Sequence, residues 1–146
     1  MQDIIRREIV IKASKERIYR AISDPEQVVL WFPNTLEGEY RVGERPIFGF
    51  GEHGRNQLYI VATSPHHYFA FRWVPGANHF IGDVLSVPNT LVEFHIEDTG
   101  DGHCKVILTE SGFAQLPAEM MEDCFRQNSG GWDFMLGRLV QQFSGE

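Results

Sequence analysis

The sequence predicts an α+β protein in which an antiparallel sheet curves around one long C-terminal helix. Between Leu116 and Phe143, apolar residues recur every three or four positions, which is the pattern of one helix face. Most of the preceding chain alternates apolar and polar residues, as strands with one buried face do. Turns of hairpin length join these strands, which favours antiparallel pairing. The apolar face of the helix needs a surface to cover, and the sheet is the candidate.

Two short helices are predicted after the first strand. Ile4–Lys12 is rich in β-branched residues and indicates that strand. Ser14 is placed to cap a helix over Lys15–Ile22. Pro25 suits the first position of another helix, which we expect to run to about Trp31 and to end before the next proline.

The remaining strands bring the sheet to about six or seven. Alternating hydrophobicity places them at Thr35–Tyr40, Pro46–Glu52, Gln57–Thr63, His67–Val74, Asn89–Asp98 and His103–Glu110. Gly49 and Gly51 lie within the second of these segments, where they are expected to bend the strand or to let backbone approach closely.

Two segments depart from this pattern. Val74–Pro88 is too long for a hairpin turn and carries several apolar side chains. It is either an ordinary loop tucked over the mouth of the sheet, or a lid or contact surface that could build a homodimer. The pair Gly130–Gly131 lies inside the long helix, where two glycines cost about 2 kcal/mol relative to alanines. Either the helix kinks or breaks there, or the sheet or a ligand approaches closely beside Trp132.

Length and charge limit the possible functions. The 146 residues suit one domain, spanning 1–146. The net charge of −7 argues against binding to nucleic acid or to an anionic membrane. The N-terminus lacks the apolar region of a signal peptide, and no apolar run reaches the roughly 20 residues of a membrane span. We therefore expect a cytoplasmic protein, with Cys104 and Cys124 reduced and buried.

Aromatic residues make up 12% of the chain, which suits an interior lined with rings. The candidate pocket residues are Trp31, Phe48, Phe50, Phe69, Phe71, Trp73, Phe94 and Trp132. They form either a ligand pocket between sheet and helix or a solid core, because aromatic side chains also pack well against one another.

Two polar residues are predicted to join this aromatic set. Glu110 shares the parity of the apolar positions in its strand, so it should point inward, and Asn128 lies on the apolar face of the long helix. Both are candidates for orienting a small ligand. A buried Glu110 with a raised pKa is also a candidate general acid or base. Alternatively, Glu110 pairs with an arginine such as Arg72 or Arg126, or lies in water near the mouth of the cavity.

No metal or cofactor site is expected. The six histidines do not have the spacing of a ligand set, and the adjacent His66 and His67 would point to opposite faces of a strand. Ser111 lacks the preceding glycine and the strand–turn–helix context of a hydrolase nucleophile. Gly49, Gly51 and Gly54 are not followed by a helix that would receive phosphates.

Several segments together resemble the family of homologues of the activator of the ninety-kilodalton heat-shock protein ATPase. These are Ala13–Ile22 with Asp24-Pro25, Trp31-Phe32-Pro33, Ser64-Pro65 with Phe69–Trp73, Thr90–Phe94, Leu108–Phe113, and Phe125–Asn128 with Gly130-Gly131-Trp132. Similar sequences often have His-Pro after the tryptophan, where this chain has Val74-Pro75. The resemblance implies the helix-grip fold of the START-like, polyketide-cyclase-like superfamily.

Three functions remain open at this point. The leading one is binding of a small apolar or aromatic ligand in a cavity between sheet and helix, without covalent chemistry. The family resemblance implies a second, a chaperone-associated interaction domain. The third is a cyclase- or hydrolase-like enzyme that uses Glu110.

Overall fold

The computed structural model describes residues 3–76 and 79–144. Its strands are β1 Ile4–Ile11, β2 Thr35–Glu37, β3 Ile47–Gly49, β4 Arg55–Ser64, β5 Tyr68–Trp73, β6 Thr90–Asp98 and β7 Cys104–Ser111. Its helices are α1 Lys15–Ser23, α2 Pro25–Val28 and α3 Ala118–Gln141, with single 3-10 turns at Gly51–His53, Val84–Ser86 and Phe113–Gln115.

The strands form one seven-stranded antiparallel sheet. Their spatial order is β1-β7-β6-β5-β4-β3-β2, so the first strand returns to pair with the last. Buried residues of the sheet and of α3 belong to the same hydrophobic core. The prediction of an α+β helix-grip fold, with two short helices after the first strand, is confirmed.

The alternation predicted from the sequence is clearest in the central strands. Along β7 every second residue is buried, from Cys104 through Val106 and Leu108 to Glu110. Across the sheet, Val92 of β6 lies opposite Glu110 in the register. The predicted inward orientation of Glu110 is confirmed, since its side chain is 0% exposed.

The short helices begin where the sequence places their caps. The Ser14 side chain accepts a hydrogen bond from the backbone of α1, and Asp24 caps α2. However, α2 ends at Val28, three residues before the predicted end near Trp31. Trp31 instead turns into the core, where its Nε1 donates to the carbonyl oxygen of Ala21 over 2.9 Å.

The long helix α3 is continuous from Ala118 to Gln141, so the adjacent glycines do not divide it. A Cβ atom added to Gly130 or Gly131 would meet no other atom within 4 Å. Close approach of the sheet therefore does not explain these two glycines.

The two outer strands are shorter than the sequence predicts. We expected Thr35–Tyr40 and Pro46–Glu52, whereas β2 ends at Glu37 and β3 ends at Gly49. The following glycines, Gly38 and Gly51, have φ angles of +94° and +63°, which an extended strand does not contain. At Gly49, an added Cβ would clash with Oγ1 of Thr35, so a side chain of the paired strand, rather than backbone, approaches closely there.

The segment between β5 and β6 packs against the sheet. The Phe80 carbonyl accepts from the backbone N–H of Gln57 over 2.8 Å, and Asp83 pairs with Arg45 over 2.7 Å. Residues 77 and 78 lie outside the described part of the chain. A homodimer contact through Val74–Pro88 stays a prediction. None of the helices described is long and apolar enough to cross a bilayer.

Candidate ligand-binding site

Glu110 lies at the centre of a buried hydrogen-bond cluster. Its Oε1 accepts from Nε1 of Trp132 over 2.7 Å and from Nδ2 of Asn128 over 2.8 Å. Its Oε2 accepts from Nε1 of Trp73 over 2.9 Å, from Oγ1 of Thr90 over 2.6 Å and from the same Asn128 amide over 3.0 Å. Donors from β5, β6 and α3 therefore converge on one carboxyl group.

The environment of Glu110 favours the protonated form of its carboxyl group. Burial disfavours the charged carboxylate and raises the pKa of Glu110 above its ordinary value. The hydrogen bonds from Thr90, Trp73, Asn128 and Trp132 favour the charged form, but they offset only part of this effect. All four donors are neutral side chains, so the carboxyl group has no positively charged partner within the cluster.

An ion pair between Glu110 and an arginine was one of the alternatives, and it is wrong for both arginines named. Arg72 donates to Oδ1 of Asn89 over 3.0 Å, and Arg126 pairs with Asp123 on the surface of α3. Among residues 3–76 and 79–144, no group of three or more histidine, cysteine or acidic side chains is arranged to hold a metal ion.

Asn128 connects the cluster to the loop that follows β5. Its Nδ2 donates to Glu110, while its Oδ1 accepts the backbone N–H of Gly76 over 3.0 Å. Gly76 has a φ of +79°, and an added Cβ would lie 2.9 Å from Sγ of Cys124. The site therefore requires glycine at this position, both for its φ angle and for the close approach to α3.

A cavity of about 130 Å³, open to solvent on one side, lies beside this cluster between the sheet and α3. Its walls come from β4, β5, the loops that follow α2, β3 and β5, and the middle of α3. The lining residues are Phe32, Phe50, Asn56, Trp73, Gly76, Asn128, Gly131, Trp132 and Met135. Glu110 lies behind this wall, hydrogen-bonded to three of its members.

Four aromatic rings account for most of the apolar wall. The ring centroid of Phe32 lies 5.2 Å from that of Trp132 and 5.9 Å from that of Trp73. The two indoles are 5.9 Å apart and tilted by 32°, and Phe50 completes the group at 6.5 Å from Trp73. Because Glu110 accepts hydrogen bonds from both indole N–H groups, the orientation of these two rings depends on that carboxyl group.

The structure divides the predicted aromatic set into two groups. Phe50, Trp73 and Trp132 line the cavity together with the predicted Asn128. The others are almost fully buried in the packed core and do not line it: Trp31, Phe48, Phe69, Phe71 and Phe94. The solid-core interpretation therefore applies to these five residues, and a ligand pocket that includes Phe50, Trp73 and Trp132 stays a prediction.

Several lining residues were not predicted from the sequence, namely Phe32, Asn56, Gly76, Gly131 and Met135. For Asn56 a signal was available. It shares the parity of Leu58 and Ile60, both 0% exposed, but the strand was predicted to begin one residue later, at Gln57. Asn56 is 6% exposed, and its backbone pairs with Phe48.

The sheet, the long helix and the cavity between them define a helix-grip protein of the START-like class. Residues 12–144 match the family described as "Activator of Hsp90 ATPase homolog 1-like protein", so the chain belongs to that family. No curated protein sequence matches it significantly.

Solved structures with a similar fold come from varied sources. DynU16, a putative protein in the dynemicin biosynthetic locus, superposes with a TM-score of 0.78 at 21% identity; the alignment covers 99% of this chain but only 48% of DynU16. The Aha1 dimer from Colwellia psychrerythraea gives 0.72 at 22% identity, covering 97% and 96% of the two chains. PFC0360w, an HSP90 activator from Plasmodium falciparum, gives 0.72 at 15% identity and 94% coverage of each. At these identities the likeness concerns the fold alone.

Proposed function

We propose that this protein binds a small apolar or aromatic molecule in the cavity between the sheet and α3, without covalent chemistry. The observation that carries this proposal is the cavity wall, in which Phe32, Phe50, Trp73 and Trp132 surround a space beside polar amide groups. Mostly apolar walls with a few placed polar groups are typical of small-molecule sites.

The size of the cavity suits a guest of about one ring. Its volume of about 130 Å³ is close to that of an engineered apolar cavity of about 150 Å³ that binds benzene. Drug-sized ligands occupy roughly 300 Å³ or more, so a guest of that size requires the walls to move.

A thermal-shift screen of small aromatic metabolites tests the proposal, because a ligand that binds only the folded state raises the melting temperature. Two matched variants make the screen specific to the cavity. Gly130 and Gly131 are both exposed on α3 with open space at the Cβ position, yet only Gly131 lines the cavity. Replacing either by leucine improves helix propensity by about 0.8–1 kcal/mol.

We therefore expect Gly131→Leu and Gly130→Leu to be at least as stable as the wild type. Ligand shifts should persist in Gly130→Leu and disappear in Gly131→Leu. Equal ligand shifts in both variants would place binding elsewhere, and a wild-type protein that responds to no compound would contradict the proposal.

The alternative function is a chaperone-associated interaction domain. Support for it comes from the family to which the chain belongs and from the PFC0360w neighbour, which is an HSP90 activator. The Colwellia psychrerythraea neighbour is a dimer, which is consistent with a homodimer here. Stimulation of a heat-shock ATPase by the purified protein, unchanged in Gly131→Leu, would favour this alternative over ligand binding.

Catalysis by Glu110 receives less support from the geometry. The side chain is 0% exposed, and both oxygens accept hydrogen bonds from protein donors. A general acid or base must reach the proton that it transfers, either directly or through one water molecule. We therefore assign Glu110 a positioning role, in which it orients Trp73, Trp132 and Asn128 along the cavity wall.

A further inference from the structure

The Asn56 side chain carries a buried oxygen without a hydrogen-bond partner in the wall of the cavity. Among residues 3–76 and 79–144, Oδ1 of Asn56 is the only buried side-chain oxygen or nitrogen without a hydrogen-bond partner. The residue is 6% exposed and lines the cavity. A buried carbonyl oxygen without a donor is costly, so such an atom calls for a specific partner.

The other polar groups of the wall are already paired. Nε1 of Trp73, Nε1 of Trp132 and Nδ2 of Asn128 all donate to Glu110, and the Asn128 oxygen accepts from Gly76. Hydrogen bonding across the cavity therefore falls to the Asn56 amide. Its unpaired acceptor calls for a ligand that donates a hydrogen bond, which a carboxylate cannot do.

The described residues in the wall of the cavity offer no positive charge to an acidic guest. None of them is basic, and Glu110 behind Trp73 and Trp132 has neutral partners only. A carboxylate in the cavity would therefore lose hydration without gaining a compensating cation. A neutral hydroxyl group satisfies Asn56 without that cost.

We propose that the occupant of the cavity is a neutral molecule of about one ring that carries a hydroxyl group, and that this hydroxyl donates to Oδ1 of Asn56. The inference rests on the proposed function and names the class of ligand for the same site. The backbone of Asn56 is fixed by pairing with Phe48 in the adjacent strand.

Phenol and toluene provide the test because they differ only by a hydroxyl group in place of a methyl group. Titration calorimetry with the wild-type protein should give phenol binding about tenfold tighter than toluene binding, the ratio expected for satisfying one buried acceptor. Benzoate should bind more weakly than phenol. In Gly131→Leu the binding heats should be lost.

Asn56→Leu removes the unmatched acceptor, so we expect it to fold, as a thermal melt will show, and to lose or reverse the preference for phenol. Asn34→Leu makes the same change at an exposed asparagine outside the cavity wall and should retain the preference. Toluene binding as tight as phenol to the wild type, or an unchanged preference in Asn56→Leu, would overturn this inference and leave the proposed function standing. Absence of binding by both compounds would overturn the inference together with the proposed function.

Discussion

Replacing Glu110 by glutamine should destabilise the fold because the cluster requires acceptors at both oxygen positions. A glutamine amide has one oxygen and one NH₂ group. On the Oε1 side the NH₂ group would face the N–H of Trp132, and on the Oε2 side it would face the N–H of Trp73. An indole N–H can only donate, so either orientation leaves one buried donor unpaired.

The magnitude follows from that unpaired donor. Leaving a buried N–H without an acceptor costs about 1–3 kcal/mol in the free energy of unfolding. A protonated Glu110 avoids this cost, because its Oε2–H can donate to the hydroxyl oxygen of Thr90 while the same oxygen still accepts from Trp73. At the lowest pH at which the protein stays folded, we therefore expect Glu110→Gln to be about 1–3 kcal/mol less stable than the wild type.

The difference should shrink as the pH rises. Because burial raises the pKa of Glu110 above its ordinary value of 4.5, the folded state binds more protons than the unfolded chain just above that pH. The contribution of Glu110 to stability is complete below pH 4.5 and is lost as the pH rises through the folded-state pKa. Glutamine does not titrate, so the wild type loses stability over this window relative to the variant.

Urea denaturation followed by tryptophan fluorescence at a series of pH values measures this difference directly. Glu97→Gln is the matched control, since Glu97 lies on the exposed end of β6; it should change stability by less than about 0.5 kcal/mol. Two results would refute the reasoning: a Glu110→Gln protein as stable as the wild type at the acid end, or a stability difference that grows with pH.

Three further predictions concern single side chains. Thr90→Val removes the donor 2.6 Å from Oε2 of Glu110 and should cost about 1.5–3 kcal/mol above the Glu110 pKa, measured by urea denaturation. Gly137→Ala places a methyl group where nothing lies within 4 Å and should stabilise α3 by about 1 kcal/mol, raising the melting temperature. Cys104 is 1% exposed and burial raises its thiol pKa, so a thiol-reactive dye should label it only after unfolding.

The sheet could be predicted from the sequence because strand residues alternate between two faces. From parity alone, Glu110 was predicted to point inward with Leu108, and both side chains are completely buried in the structure. Apolar spacing likewise predicted α3, which begins two residues after the expected Leu116 and ends two before Phe143. The ends of the two outer strands were harder to predict. Gly38 and Gly51, which follow these strands, have positive φ angles, and these depend on local backbone geometry rather than on the hydrophobic pattern.

The site was harder to predict because its members lie far apart in the sequence. Trp73, Thr90 and Trp132 converge on Glu110 only once β5, β6 and α3 are assembled, and no spacing rule connects them. Similarly, Trp31 and Trp132 belonged to the same predicted set of pocket residues. Only the packed structure separates them, with Trp31 in the solid core and Trp132 on the cavity wall.

The three tryptophans provide the most direct test of the central claim, that the cavity is a ligand site. Their indole N–H groups give separate signals in a proton–nitrogen correlation spectrum. Trp73 and Trp132 line the cavity, whereas Trp31 donates to the carbonyl of Ala21 in the core. Titration with phenol should shift the Trp73 and Trp132 signals in a saturable manner and leave the Trp31 signal nearly unmoved. Signals from Trp73 and Trp132 that stay in place, or that move no more than that of Trp31, would contradict the account.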